Sequence, residues 1–236
     1  MQPIYYRYRF LFKNGREEVF DIELDGSRLE QSTPLPDKLP EWTRLDFMKC
    51  ANCPLDPLEV FYCPLAARLM PLAEKMRNVV SFDDVRMEVT LDERIVTRDA
   101  TAQEGISALM GIITATSGCP HTVFFKPMAR FHLPFANTEE TFYRAASMYM
   151  LGQYYRWQAG KSVDMELEGI HKFYEQVAVV NKGIADRLRS EQREDGSVNA
   201  IVLLDMFVKT MPMMLDDTLK ELKPLFAPYI SADLSE

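Results

Sequence analysis

The sequence predicts an α+β fold: an N-terminal β-hairpin and small mixed sheet with short helices, followed by an antiparallel helical array. Three observations carry this. Residues 4–12, "IYYRYRFLF", alternate Tyr6, Tyr8, Phe10 and Phe12 against Tyr5, Arg7, Arg9 and Leu11, the period of a strand. Asn14-Gly15, two residues that tolerate positive φ, then turns the chain into a second alternating run, "EEVFDIEL". From about residue 137 onward the apolar residues recur at helical spacing instead.

The remaining elements follow in order. Asp25-Gly26 closes the second strand, and "STPLPDKLP" (32–40), with three prolines, reads as an extended surface connection. "LAARLMPLAEKMRN" is a short helix that Pro71 kinks or splits. "VRMEVTLDERIVT" alternates Val85, Met87, Val89 and Leu91 against Arg86, Glu88 and Thr90, one strand joining the hairpin's sheet. "TAQEGISALMGIITATSG" is a helix with Thr101 as N-cap, Glu104 three residues on, and Gly118 as its stop. Asn137 and Glu140 start a helix of about five turns. A second spans about 164–192, with Ile170, Phe173, Tyr174, Val177, Ile184 and Leu188 on one stripe. Asp195-Gly196-Ser197 marks a turn. "VNAIVLLDMFVK" is apolar nearly all round, a buried helix whose extent Pro212 limits, and "DDTLKELKPLF" is a last short helix. This divides the chain into a cysteine-containing α+β part, 1–134, and a helical part, 135–236, packed as one unit.

Composition narrows the function classes. The chain of 236 residues is 47 % hydrophobic and 26 % charged, ordinary for a globular protein with a sizeable core. A net charge of -8 argues against nucleic acid, whose non-specific binding rests on lysine and arginine neutralising phosphates, and against anionic membrane surfaces. No apolar run approaches a membrane span, and "MQPIYYRYRFLF" lacks the uninterrupted apolar stretch of a secretory signal. A cytoplasmic location, with thiols kept reduced, is the expectation.

The four cysteines are spaced C-x2-C-x9-C-x55-C. A C-x-x-C turn brings two sulfurs within reach of one ion, Cys63 returns through a loop, and Cys119 joins from a helix end. Cys50, Cys53, Cys63 and Cys119 together suit structural zinc, with an iron–sulfur cluster as the alternative. Proline after Cys53, Cys63 and Cys119 removes backbone N–H groups that usually bond to zinc thiolates and leans toward the cluster. With no metal, the same residues are small buried hydrophobes. A redox-active C-x-x-C is disfavoured, because no βαβ context surrounds it.

A second group, Lys126, Arg130 and His132 in "KPMARFHLPFAN", stands just ahead of the helix capped by Asn137, where free N–H groups and the helix dipole favour an anionic ligand. Arg144, two turns in, adds a donor. Pairing with some of the 35 acidic residues is the plain alternative. His121, two residues from Cys119, is awkwardly placed to share its ion, and His171 sits at the edge of an apolar stripe. Glu139 and Glu140 do not face one another on a helix and make a poor acid/base pair. No nucleotide-binding, nucleophile-elbow or metalloprotease motif is present. Tyr154, Tyr155 and Trp157, near a helix end, are candidates for contact with another protein.

The strings "CANCPLDPLEVFYCPLAARL", "ATSGCPH" and "KPMARFHLPFANTEETFYRA" resemble a family of bacterial proteins of about this size with no known activity. The resemblance implies a bacterial cytosolic source and transfers no residue role. The functional expectation is a non-enzymatic regulatory or adaptor protein with a structural metal site. The alternative is an iron–sulfur or anionic-ligand sensor or enzyme.

Overall fold

Strand β1 (Ile4–Phe12) turns back at Gly15, φ +86°, into β2 (Glu17–Leu24), and the register runs from Ile4 opposite Leu24 to Leu11 opposite Glu17. In this computed structural model residues 2–191 and 195–232 are described. Strand β3 (Asp84–Leu91) pairs with the other edge of β1, and β4 (Arg94–Thr101) pairs with β3, giving the order β2-β1-β3-β4. All three pairings are antiparallel, so the sheet is not mixed. "VRMEVTLDERIVT" therefore holds two strands joined at Asp92-Glu93 rather than one. The missed strand, β4, is an edge whose side chains are exposed or half-exposed on both faces, which erases the alternation.

The sheet is two-sided in chemistry. Tyr6, Tyr8, Phe10, Phe20, Ile22, Val85, Met87 and Val89 are buried on one face. The opposite face carries exposed ion pairs, Arg7 with Asp21 at 2.6 Å and Arg9 with Glu17 at 2.9 Å, which solvent screening keeps weak. Helices α1 (Pro64–Lys75) and α2 (Ala102–Thr116) pack on the buried face. Pro64 starts α1, and the helix runs on through Pro71 without splitting. Thr101 and Glu104 close a capping box on α2, and Gly118, φ +88°, lets the chain leave its end.

A short helix, α3 (Lys126–Arg130), leads to α4 (Thr138–Gln158), where Asn137 and Glu140 exchange the two bonds of a capping box at 2.8 Å each. Helix α5 covers Glu168–Glu191, and position 192 lies outside the described residues. Asp164 ties the two helices: it accepts from the Tyr149 hydroxyl and from Gly169 N, both at 2.7 Å. Helix α6 (Gly196–Leu222) continues through Pro212, so "VNAIVLLDMFVK" and most of "DDTLKELKPLF" form one helix, followed by a 3-10 turn and α7 (Ala227–Ser231).

Two apolar clusters organise the interior. The larger joins the sheet, α1 and α2 to Val180, Ile184 and Leu188 of α5 and to Ala200 and Ile201 of α6. The smaller joins Phe142, Ala145 and Tyr149 of α4 to Ile170, Tyr174 and Val177 of α5 and to Val208 of α6. Late α5 meets early α6 and early α5 meets late α6, so the pair is antiparallel. Helices α5 and α6 thus serve both cores, and a boundary at 134/135 does not separate one core from the other. No described helix is long and apolar enough to cross a membrane.

Candidate functional site

Cys53 N donates to Cys50 O at 3.0 Å, closing the C-x-x-C turn. Within that turn Asn52 binds the Gln176 side chain of α5 at 2.8 Å, and its carbonyl accepts from His121 Nε2 at 2.7 Å. Cys63 precedes Pro64 at the start of α1, its N–H donating to Thr43 O. Cys119 follows Gly118, and Cys119 N donates to Ser117 Oγ at 3.2 Å. Cys50 lies directly on the backbone of α5, where a Cβ built on Gly183 would stand 2.6 Å from its sulfur. All four cysteines are free thiols.

Burial pushes the Cys50 thiol up to about 11. The charges of Cys63, Cys119 and Cys53 add to this and Arg187 offsets part of it. Burial also raises Cys119. At neutral pH these two are protonated, and a protonated thiol is neither a nucleophile nor a ligand. Among the described residues no group of three or more histidine, cysteine, aspartate or glutamate side chains is gathered closely enough to hold a metal ion.

Arg187 was not anticipated. It is fully buried on α5 and donates to three carbonyls of the loop before the cysteines: Trp42 O at 2.6 Å, Arg44 O at 2.7 Å and Leu45 O at 3.4 Å. Its Nε has no partner. The signal was in the sequence, since position 187 falls three residues after Ile184, on the buried stripe, where a charge has to be satisfied.

The structure does not bring Lys126, Arg130 and His132 to a common cavity. Lys126 pairs with Glu30 at 2.8 Å, the ordinary alternative to a ligand role. Arg130 lies against the Phe131 ring, 5.6 Å from its centroid, and its carbonyl accepts from the Tyr6 hydroxyl. Lys126 and Arg130, four residues apart, share a face of α3, but each has a partner of its own, and His132 lies beyond the end of that helix. His132 points elsewhere: its Nε2 is hydrogen-bonded to the buried Tyr8 hydroxyl and its ring packs edge-on to Tyr6. Burial first, and the Arg144 charge second, lower its pKa to about 3, so the imidazole is neutral. His171 is half-buried on α5, and Tyr154, Tyr155 and Trp157 are exposed at the end of α4.

His132 does line a cavity of about 380 Å³ between α2, α4, α5 and α6, within the size range of ligand pockets. Its walls are mainly apolar, with Ile112, Phe125, Met128, Val177, Leu204 and Val208 among them. Polar side chains interrupt them, His132 and the Arg98–Glu104 pair among them. Arg144 of α4 donates to Met128 O and Phe131 O, both at 2.9 Å, and burial lowers its pKa. Tyr174 is buried, which raises its pKa. Thr114 Oγ1 and Asn181 Nδ2 are buried and make no hydrogen bond. The first turn of α4, through Asn137, Thr138 and Thr141, completes the lining. Asn181, four residues after Val177 on the buried stripe, carried the same signal as Arg187.

The fold and this cavity define a class: an α+β protein with a ligand-sized, mainly apolar cavity where α2 meets the later helices. Residues 5–227 match the family described as Domain of unknown function (DUF6901), and the chain belongs to that family. No curated protein and no solved structure matches it.

Proposed function

We propose that the protein is a small-molecule binding protein whose ligand occupies the cavity between α2, α4, α5 and α6. One observation carries this: Thr114 Oγ1 and Asn181 Nδ2 sit unpartnered on the walls of the same cavity. A buried polar group without a partner costs about 1–3 kcal/mol, so two on one cavity wall ask for a complementary guest. Binding is favoured over turnover, because a general base works best with a pKa near the operating pH and His132 sits at about 3. The cavity is walled by helices of both cores, which suits a regulatory role in which occupancy stiffens their junction. The four free thiols suit a reducing compartment such as the bacterial cytoplasm. Mass spectrometry of the natively purified protein is expected to find a small molecule in near-stoichiometric amount. The variant Val177→Phe, which fills the space, should lose it with its helical circular dichroism intact. Purified protein that carries nothing, and whose melting point no apolar compound moves, overturns the proposal.

We also propose, as the sequence expectation carried forward, that the thiol region takes up zinc, with an iron–sulfur cluster as the alternative. Its support is that Cys63, Cys119 and Cys53 all act on the charge of Cys50. An ion would have to draw the thiols inward and displace their protons, which couples binding to folding and to pH. Zinc analysis and an absorption spectrum of anaerobically purified protein separate the two metals. Cys53→Ser should lower the melting point and loosen residues 45–65 in hydrogen exchange. An unchanged melting curve in a metal-free protein would falsify the staple. The adaptor role, through Tyr154, Tyr155 and Trp157 toward another protein, stands as a proposal supported by their exposure.

A further inference from the structure

The polar groups on the cavity wall are unequal in kind and in place. Among the described residues Arg144 forms no close ion pair, although the Glu140 carboxylate one turn earlier acts on its charge, whereas Arg98 contacts Glu104 at 3.4 Å. Lys126 and Arg130 do not line the space. The first turn of α4 lines the cavity too, with Glu140 N capped by Asn137 and the Glu139 and Glu140 carboxylates offsetting the positive end of the helix. His132 contributes hydrogen-bonding capacity and no charge. The wall therefore offers at most about one positive charge, which suits a monoanion better than a phosphate dianion. Asn181, 3 % exposed with Nδ2 unpartnered, is an independent sign that the space receives a hydrogen-bond acceptor.

Position along α5 sets the shape. Arg144 and Tyr174 both line the cavity and act on each other's charge, so the cationic group lies near Tyr174. Asn181 lies seven residues beyond Tyr174 on the same helix, two turns or about 10 Å away, with Val177 between them. The space thus has its cationic group near Tyr174, an apolar stretch at Val177, and the Asn181 amide about two turns of α5 away.

We propose that the ligand is a single-chain amphiphilic carboxylate, its carboxylate on Arg144 at the first turn of α4, its apolar body along Val177, Ile112 and Leu204, and an oxygen substituent near its far end at Asn181 and Thr114. This rests on the cavity being a binding site, and the experiment separates the two claims. Titration calorimetry of the delipidated full chain at neutral pH uses three probes: decanoate, decanol and ω-hydroxydecanoate. Decanoate binds at least about tenfold tighter than decanol, since a charge-assisted bond replaces a neutral one, and ω-hydroxydecanoate binds tighter still. Asn181→Leu removes the advantage of the terminal hydroxyl without touching the decanoate preference. Arg144→Met removes the decanoate preference and leaves decanol unchanged. Because Arg144 also holds two carbonyls, Arg144→Lys is the companion variant, which keeps the charge and the preference. Equal binding of decanoate and decanol by the wild type overturns the carboxylate assignment while the binding site stands. Heat from none of the three probes overturns both.

Discussion

Helix α5 passes two buried polar regions and treats them in opposite ways. At its C-terminal end Arg187 is clamped by the carbonyls of Trp42, Arg44 and Leu45, and Cys50 is pressed against Gly183 with no room left. One to two turns earlier Asn181 lines a cavity of about 380 Å³, and its Nδ2 has no partner. The first arrangement fixes a loop to a helix, and the second leaves polar capacity for something outside the chain. A buried polar group that is satisfied marks structure, and one left open marks a place for a guest.

The largest expected effect lies at the satisfied end. Arg187→Ala strands three buried carbonyls, and at about 1 kcal/mol or more each the loss should reach about 3 kcal/mol in denaturant unfolding. A loss below about 1 kcal/mol would erase the contrast. Acid comes next. His132 has its pKa lowered to about 3 by burial and by Arg144, against an ordinary value near 6.5 once unfolded. Between those values the unfolded chain binds the extra proton, so stability falls as pH drops from about 6.5 toward 3, by a few kcal/mol at most. Melting points of His132→Gln should show a flatter slope across that window. An equal slope would place the acid sensitivity elsewhere.

Gly183→Ala drives a methyl group into the Cys50 sulfur, 2.6 Å away, and overpacking of this kind costs about 1–3 kcal/mol. Hydrogen exchange should show the damage confined to residues 45–55 and the C-terminal half of α5. The smallest change sharpens the comparison by its sign. Asn181→Leu removes an unpartnered amide and should stabilise the empty protein by about 1 kcal/mol while weakening ligand binding. Destabilisation would mean that Asn181 is a structural residue.

The sequence made the regular elements legible wherever one principle acted alone. Alternation revealed β1, β2 and β3, and the Thr101–Glu104 and Asn137–Glu140 pairs marked the starts of α2 and α4. Strand β4 was missed because an edge strand needs no buried face, and the end assigned at Pro212 failed because α6 runs past it. The C-x2-C-x9-C-x55-C spacing pointed to four cysteines around one ion, yet spacing along the chain cannot say how close four sulfurs come. The basic group dissolved for a similar reason: Lys126 found Glu30, far away in sequence and invisible from "KPMAR". Arg187, Thr114 and Asn181 were readable only as polar residues on helices otherwise headed for the interior, and the cavity beside them exists only once the helices are packed.

Because α5 and α6 fill both cores, the molecule has no severable halves. A chain cut after residue 134 would bare the faces of α1 and α2 that Val180, Ile184, Leu188, Ala200 and Ile201 cover, and the remainder would lose the partners of those same five side chains. Deletion mapping and domain-swap chimaeras will therefore report aggregation whatever segment is removed. Genetic dissection has to proceed by single substitutions, and natural diversification of such a chain is steered toward loop lengths and cavity-lining side chains rather than toward shuffled modules.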